Sequence, residues 1–210
     1  MDFSGIINTF ITGVKQTGAI EYIAVIAGIV SVWYSRKENI LVYPIGLINT
    51  VFYTYLSFSG GLLGEASVNV YYTVMSIYGW FMWSKRNDAN AVQVRITQST
   101  QREWLLQLSF FAAFYVIIYF ALIYAKKEFA PDAIPWADAL ASASAYTGMW
   151  LMAKKKVESW YWWIITNICS IPLYFVKQYV FTSVYYFILL IMAFWGLAEW
   201  LKKARAKQHE

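Results

Sequence analysis

Residues 32–49, VWYSRKENILVYPIGLIN, and residues 149–167, MWLMAKKKVESWYWWIITN, present the same features in the same order. In each, a tryptophan (Trp33, Trp150) precedes a basic turn that carries a glutamate (Glu38, Glu158). An aromatic-rich helix start follows, and then an asparagine (Asn49, Asn167). The separation is 117 residues at the tryptophans and 118 at the asparagines. Further on, IYGWFMWSKR and AFWGLAEWLKK match at 117 residues, pairing Gly79 with Gly196 and Trp83 with Trp200. Four landmarks in one order mark a duplicated unit, and a duplicated unit sets the fold before any single segment is assigned.

The solvent of that unit follows from composition. The chain is 60% hydrophobic and 20% aromatic, with 14% charged residues, outside the range of soluble globular domains. Charges are clustered, leaving seven intervals without Asp, Glu, Lys or Arg: 22–35, 39–64, 66–84, 104–125, 139–153, 159–176 and 178–198. A helix needs about 20 residues to cross the hydrocarbon core. Five intervals reach that length, whereas 22–35 and 139–153 must draw in flanking residues such as Glu21 or Asp138. Apolar residues run continuously rather than alternating, so transmembrane strands are excluded. The expected fold is an all-α integral membrane protein with seven transmembrane helices. Its domains are an interfacial segment (1–18), a first three-helix bundle (19–84), a loop and linker helix (85–130), a second three-helix bundle (131–201) and a tail (202–210). One inverting helix between the bundles makes the repeats parallel, a 3+1+3 arrangement of the kind found in transporters.

Orientation follows from the 17 basic residues. Thirteen fall on one side of the seven spans, in the turns at Arg36, Lys85, Lys154 and Lys202 and nearby; only Lys15, Lys126, Lys127 and Lys177 fall on the other. The C-terminus is therefore expected in the cytoplasm and the N-terminus outside. The net charge of +5 is a topology signal, divided among short juxtamembrane clusters, and not a nucleic-acid footprint. The first 18 residues lack a basic region ahead of an apolar core and read as an interfacial lead-in, not a cleaved signal. Cys169 stands alone, so no disulfide framework or cysteine metal cluster can be built, and no cofactor is implied.

No charge falls at mid-span, which argues against a proton-coupled relay and against a retinal Schiff base. What lies at depth is neutral. On a helix, positions i, i+4 and i+7 share a face, so Asn167 lies with Trp160, Trp163, Ile171 and Tyr174. Asn49 lies with Val42, Ile45, Tyr53 and Leu56. Asn49, Tyr53, Trp160, Trp163, Asn167 and Tyr174 are the candidate substrate-binding residues. Aromatic planes would stack on a flat ring, the more strongly if it were cationic, and the amide would bond its polar edge. Pro172 frees the carbonyl of Ile168 to accept a further bond. Plainer readings stand beside these. A membrane asparagine can simply bond a neighbouring helix, and Trp160, Trp162, Trp80, Trp83, Trp195 and Trp200 lie where interface anchors or gate packing belong. In each of the pairs Tyr71/Tyr72 and Tyr185/Tyr186, adjacent residues cannot both face a path.

Together WYWWIITN, VYPIGLIN, YGWFMW and WLMAKKKVESW resemble the PnuC family of bacterial nicotinamide riboside transporters, over about residues 20–201. The resemblance implies a SWEET-like architecture, a homotrimer in the cell inner membrane, and facilitated diffusion of nicotinamide riboside for NAD biosynthesis, made unidirectional by cytoplasmic phosphorylation. The partners it implies are that substrate and the lipid bilayer, with no enzymatic activity. Two alternatives are a carrier of another vitamin or a sugar on the same fold, and a seven-helix receptor, which would need no parallel repeat.

Overall fold

The computed structural model describes residues 3–16, 18–59, 63–86, 93–126 and 133–206. These are nearly all helical: α1 (Phe3–Gln16), α2 (Ala19–Arg36), α3 (Val42–Ser59), α4 (Leu63–Ser84), α5 (Gln101–Ala125), α6 (Pro135–Ala153), α7 (Ser159–Val176) and α8 (Val180–Ala206). α2 to α8 fall in order on the seven charge-poor intervals, and α1 occupies the segment ahead of them. Three helices, α2, α5 and α8, are long and apolar enough to cross a membrane by length and composition. α6 is less apolar because its buried face is made of small residues: Ala137, Ala139, Ala141, Ala143, Ser144 and Ala145 are all buried. Small side chains let neighbouring helices approach closely, the usual device where lipid supplies no hydrophobic drive between helices. α5 is the opposite case, with Gln107 its one buried residue, and lies at the periphery.

α2, α3 and α4 pack each on the next, as do α6, α7 and α8. α4 also meets α6 and α2 meets α8, so six helices close on one another. α5 lies against α6, and α1 against α8. The turns bearing Arg36, Lys85, Lys155 and Lys202 gather at one end of this assembly, referred to below as the basic end.

There the duplication is expressed atom by atom at a separation of 117 residues. Trp83 Nε1 donates to the carbonyl of Met152 at 3.3 Å, and Trp200 Nε1 donates to the carbonyl of Ser35 at 3.2 Å. The repeat mates Ser35 and Met152 meet each other, Oγ to Sδ, at 3.0 Å. Glu38 and Lys155, also mates, both sit in left-handed backbone (φ 60° and 52°) and pair at 2.9 Å. Tyr43 packs edge-on to Trp83 at 5.1 Å and 88°, and Trp160 packs edge-on to Trp200 at 5.5 Å and 89°. Each of these rings lies flush on a glycine, Tyr43 on Gly79 and Trp160 on Gly196, where a Cβ would overlap ring carbons.

This register corrects two sequence pairings: Glu38 is matched by Lys155 and not Glu158, and the asparagines are not mates. Asn49 Nδ2 donates to the carbonyl of Ala24 at 2.7 Å, and Thr166 Oγ1 approaches that of Ala141 at 3.4 Å. Both pairs are displaced by 117 residues, so the mate of Asn49 is Thr166, and the mate of Asn167 is Thr50. Matching residue types slipped the helix by one position.

The segment entering α5 is docked on the turn between α6 and α7. Thr97 N–H donates to Lys155 at 3.2 Å and Val157 N–H to Thr97 at 3.0 Å. Glu158, 4% exposed, accepts from Ser99 N–H at 2.8 Å and Ser99 Oγ at 2.7 Å. Thr100 and Glu103 then form a capping box that starts α5. Glu158→Ala is expected to cost about 1–3 kcal/mol locally by leaving these donors unpaired. Hydrogen exchange should rise at residues 97–100 while α6 and α7 stay protected.

Candidate functional site

Between the halves, away from the basic end, lies a set of neutral rings and amides contributed by α3, α4, α6, α7 and α8. Tyr71 stacks on Tyr146 at 4.1 Å and 26°, and its hydroxyl donates to the Tyr146 carbonyl at 3.1 Å. Tyr72 stands edge-on to Tyr146 at 6.3 Å and inclined to Trp163 at 6.2 Å. Tyr174 stacks on Tyr186 at 5.2 Å and 12°. The Tyr185 hydroxyl and the Asn49 amide converge on Gly28, where no Cβ could be accommodated. Tyr71 and Tyr72 lie 6.1 Å apart and Tyr185 and Tyr186 5.6 Å apart, so through Trp163 and Tyr174 of α7 the rings of α4, α6 and α8 form one cluster.

Local sequence explains each position. Trp163 fits against α6 because Gly148 faces it: a Cβ there would stand 3.2 Å from Cε2 and 3.3 Å from Nε1. α7 carries Pro172 within the helix. Beside it, Ser183 Oγ of α8 donates to the carbonyl of Ile171 at 2.8 Å, satisfying backbone near the interruption.

Of the predicted residues, Asn49, Trp163 and Tyr174 reach this cluster through Tyr185, Tyr72 and Tyr186 respectively. Asn167 lies one turn from Trp163 on α7 and is 3% exposed, yet its side chain makes no hydrogen bond among the described residues. Its mate Thr50, 6% exposed, accepts from Thr73 Oγ1 at 3.0 Å. The repeat therefore satisfies this position in one half and leaves an amide unpaired in the other. Tyr53 is half-buried one turn along α3 from Asn49. Trp160 is placed elsewhere. It is 1% exposed in the basic-end core with Tyr43, Trp83, Met152 and Trp200, with its ring on Gly196. Sequence reasoning did not single out Tyr146 and left both tyrosine pairs open. The pairs divide their work: Tyr71 turns to α6 and Tyr72 inward, while Tyr185 takes Asn49 and Tyr186 takes Tyr174.

The cluster is uncharged. Ion pairs stand at helix ends, such as Lys155–Glu38 and Arg36–Glu199 at the basic end and Lys177–Asp138 (2.9 Å) at the α6 start. Such a site can stack on planar rings and exchange neutral hydrogen bonds.

A family model described as nicotinamide mononucleotide transporter matches residues 18–202. The chain belongs to that family. Its similarity to the nicotinamide riboside transporter PnuC of Escherichia coli (strain K12) is 26% identity over 238 residues, covering 99% of this chain and 97% of that protein. It is also similar to the riboflavin/roseoflavin transporter RibM of Streptomyces davaonensis, at 24% identity over 183 residues, 86% of this chain and 83% of that one. A crystal structure of the vitamin B3 transporter PnuC superposes with a TM-score of 0.72 at 24% identity, covering 96% of this chain and 88% of that one, which shows a shared fold. As a member of the nicotinamide mononucleotide transporter family, the chain is a multi-pass inner-membrane transport protein and not an enzyme.

Proposed function

We propose that the protein carries nicotinamide riboside across the inner membrane by facilitated diffusion. Access alternates between two parallel three-helix bundles, α2–α4 and α6–α8, in a 3+1+3 arrangement with α5 as the inverting helix. The N-terminus is periplasmic, the C-terminus cytoplasmic, and the assembly is a homotrimer of SWEET-like protomers. The observation that carries this reading is the amide of Asn167 beside Trp163, on a residue 3% exposed and hydrogen-bonded to no other described residue through its side chain. An amide left free to bond between the halves is explained if a ligand supplies its partner.

Trp163 and Tyr72 stack on the pyridinium ring, a cation–π contact in a desolvated site. Asn167 and Asn49 bond the carboxamide or ribose, and Tyr53, Tyr174 and Tyr186 close the far side. Trp160 acts indirectly, as packing at the basic end. The paired contacts there, Lys155–Glu38 and the two indole donors crossing to the other half, hold the bundles together on the cytoplasmic side. Rocking the bundles breaks that set and releases substrate inward. The absence of charge from the described rings and amides supports uniport, since an ion-coupled carrier needs an ionisable group at depth.

A second reading, a flavin as substrate, is favoured by the RibM likeness, which is nearly as high in identity as that of PnuC. Titrating the purified protein with nicotinamide riboside, riboflavin and thiamine, read by tryptophan fluorescence, separates the two. Saturable quenching by nicotinamide riboside alone is expected. Saturation by riboflavin alone would replace the first reading with the second.

A further inference from the structure

The two seams between the halves are filled differently. Where α4 meets α6, α5 lies along the seam. Phe110 stacks on Trp150 at 4.8 Å and 18°, and Phe114 packs on Tyr146 at 5.2 Å and on Tyr71 at 6.4 Å. At the basic end of the same helix, Glu103 pairs with Lys156 at 2.7 Å. An apolar strand of side chains with an acid at its head thus caps this seam.

The 117-residue register carries Trp150, Tyr146 and Tyr71 onto Trp33, Ile29 and Ile188. Those three residues line a groove of about 490 Å³ at the other seam, between α2 and α8, together with Ile191, Met192 and Trp195. No described helix runs along it. α1 meets α8 near its start, where Gly13 and Phe10 face Phe181, about 20 Å from Trp195 at 1.5 Å per residue. Toward the basic end the groove shares Trp33 and Trp195 with a recess of about 580 Å³ bordered by Arg36, Glu199 and Lys202. Arg36 lies 4.0 Å over the Trp33 ring and reaches Glu199 at 3.3 Å, and Lys203 is 3.7 Å from both Glu38 and Glu199. Arg36, Lys37, Lys202 and Lys203 outnumber the carboxylates Glu38 and Glu199, so the mouth is net positive.

We propose that the α2/α8 groove binds an anionic phospholipid, its acyl chain taking the place that Phe110 and Phe114 hold at the other seam and its phosphate the place of Glu103. A basic pocket between membrane helices, opening at headgroup depth onto an apolar slot, matches both parts of such a lipid. A neighbouring copy would have to bring an acid to Arg36, and the acid on α5 is already engaged by Lys156. The inference rests on membrane insertion and not on which solute is carried.

Native mass spectrometry of the detergent-purified protein, incubated with equimolar phosphatidylglycerol and phosphatidylcholine of identical chains, tests it. Phosphatidylglycerol should be retained about fivefold over phosphatidylcholine, the scale of one cationic contact. Lys202→Gln should remove most of that preference. Ile191→Trp, which fills the groove from a position 38% exposed, should lower retention of both lipids with an unchanged melting temperature. Equal retention of the two lipids by the unmodified protein would overturn the proposal, as would unchanged retention in Ile191→Trp. A change of oligomeric state in Ile191→Trp without loss of lipid would assign the groove to a second copy instead. Solute titration of the same samples keeps a failure here distinct from a wrong substrate.

Discussion

Asn167→Leu is expected to weaken nicotinamide riboside binding by about 5- to 150-fold, the effect of removing one buried hydrogen-bonding partner, while leaving the melting temperature unchanged or raised. The two directions arise from one fact. Asn167 is 3% exposed and its amide is hydrogen-bonded to no other described residue, so the folded protein loses no bond when leucine replaces it. A ligand that bonds the amide loses its contact. Calorimetric titration together with a thermal melt separates this role from helix packing: a lower melting temperature with unchanged affinity would make Asn167 an interhelical tie. Thr50, the repeat mate bonded by Thr73, is an internal control. Thr50→Val should lower stability and leave affinity nearly unchanged, because its partner lies within the protein.

Gly196→Ala should destabilise the fold by about 1–3 kcal/mol through overpacking, as should Gly79→Ala. In each case the added methyl would enter the space of a ring that has nowhere to move. Trp160 is wedged between Gly196 and Trp200, and Tyr43 between Gly79 and Trp83. The double variant should lose less than the sum, since Trp83 and Trp200 touch at 6.2 Å and the clusters share one relaxation. Gly18→Ala, where nothing lies within 4 Å of the added carbon, is the control. A Gly196→Ala protein as stable as the parent would contradict the ring packing described here.

The duplicated architecture was legible because its landmarks are physically forced. A ring flush on a helix demands glycine, and an indole crossing to the other half demands a backbone carbonyl at fixed depth, so Gly79/Gly196 and Trp83/Trp200 keep their spacing. Asn49 and Asn167 carry no such constraint, and pairing them by type missed the register by one residue. Trp160, Trp163 and Asn167 share a helix face by spacing, but periodicity along one helix carries no information about depth. Trp160 stands in the first turn of α7, within the basic-end core. Tyr146 was overlooked because it stands in an alanine-rich helix whose burial comes from tertiary packing, and the tyrosine pairs could not be divided without knowing which neighbour each helix meets. The groove between α2 and α8 was invisible for the same reason, since it is defined by a helix at one seam with no counterpart among the described residues at the other.

The central claim is transport of nicotinamide riboside down its own gradient through a neutral site. The purified protein in liposomes, with labelled nicotinamide riboside outside and no proton or sodium gradient, should equilibrate the label at a rate unchanged by either ion gradient and abolished by excess unlabelled substrate. Uptake that requires a proton or sodium gradient, or no saturable uptake at all, would contradict it.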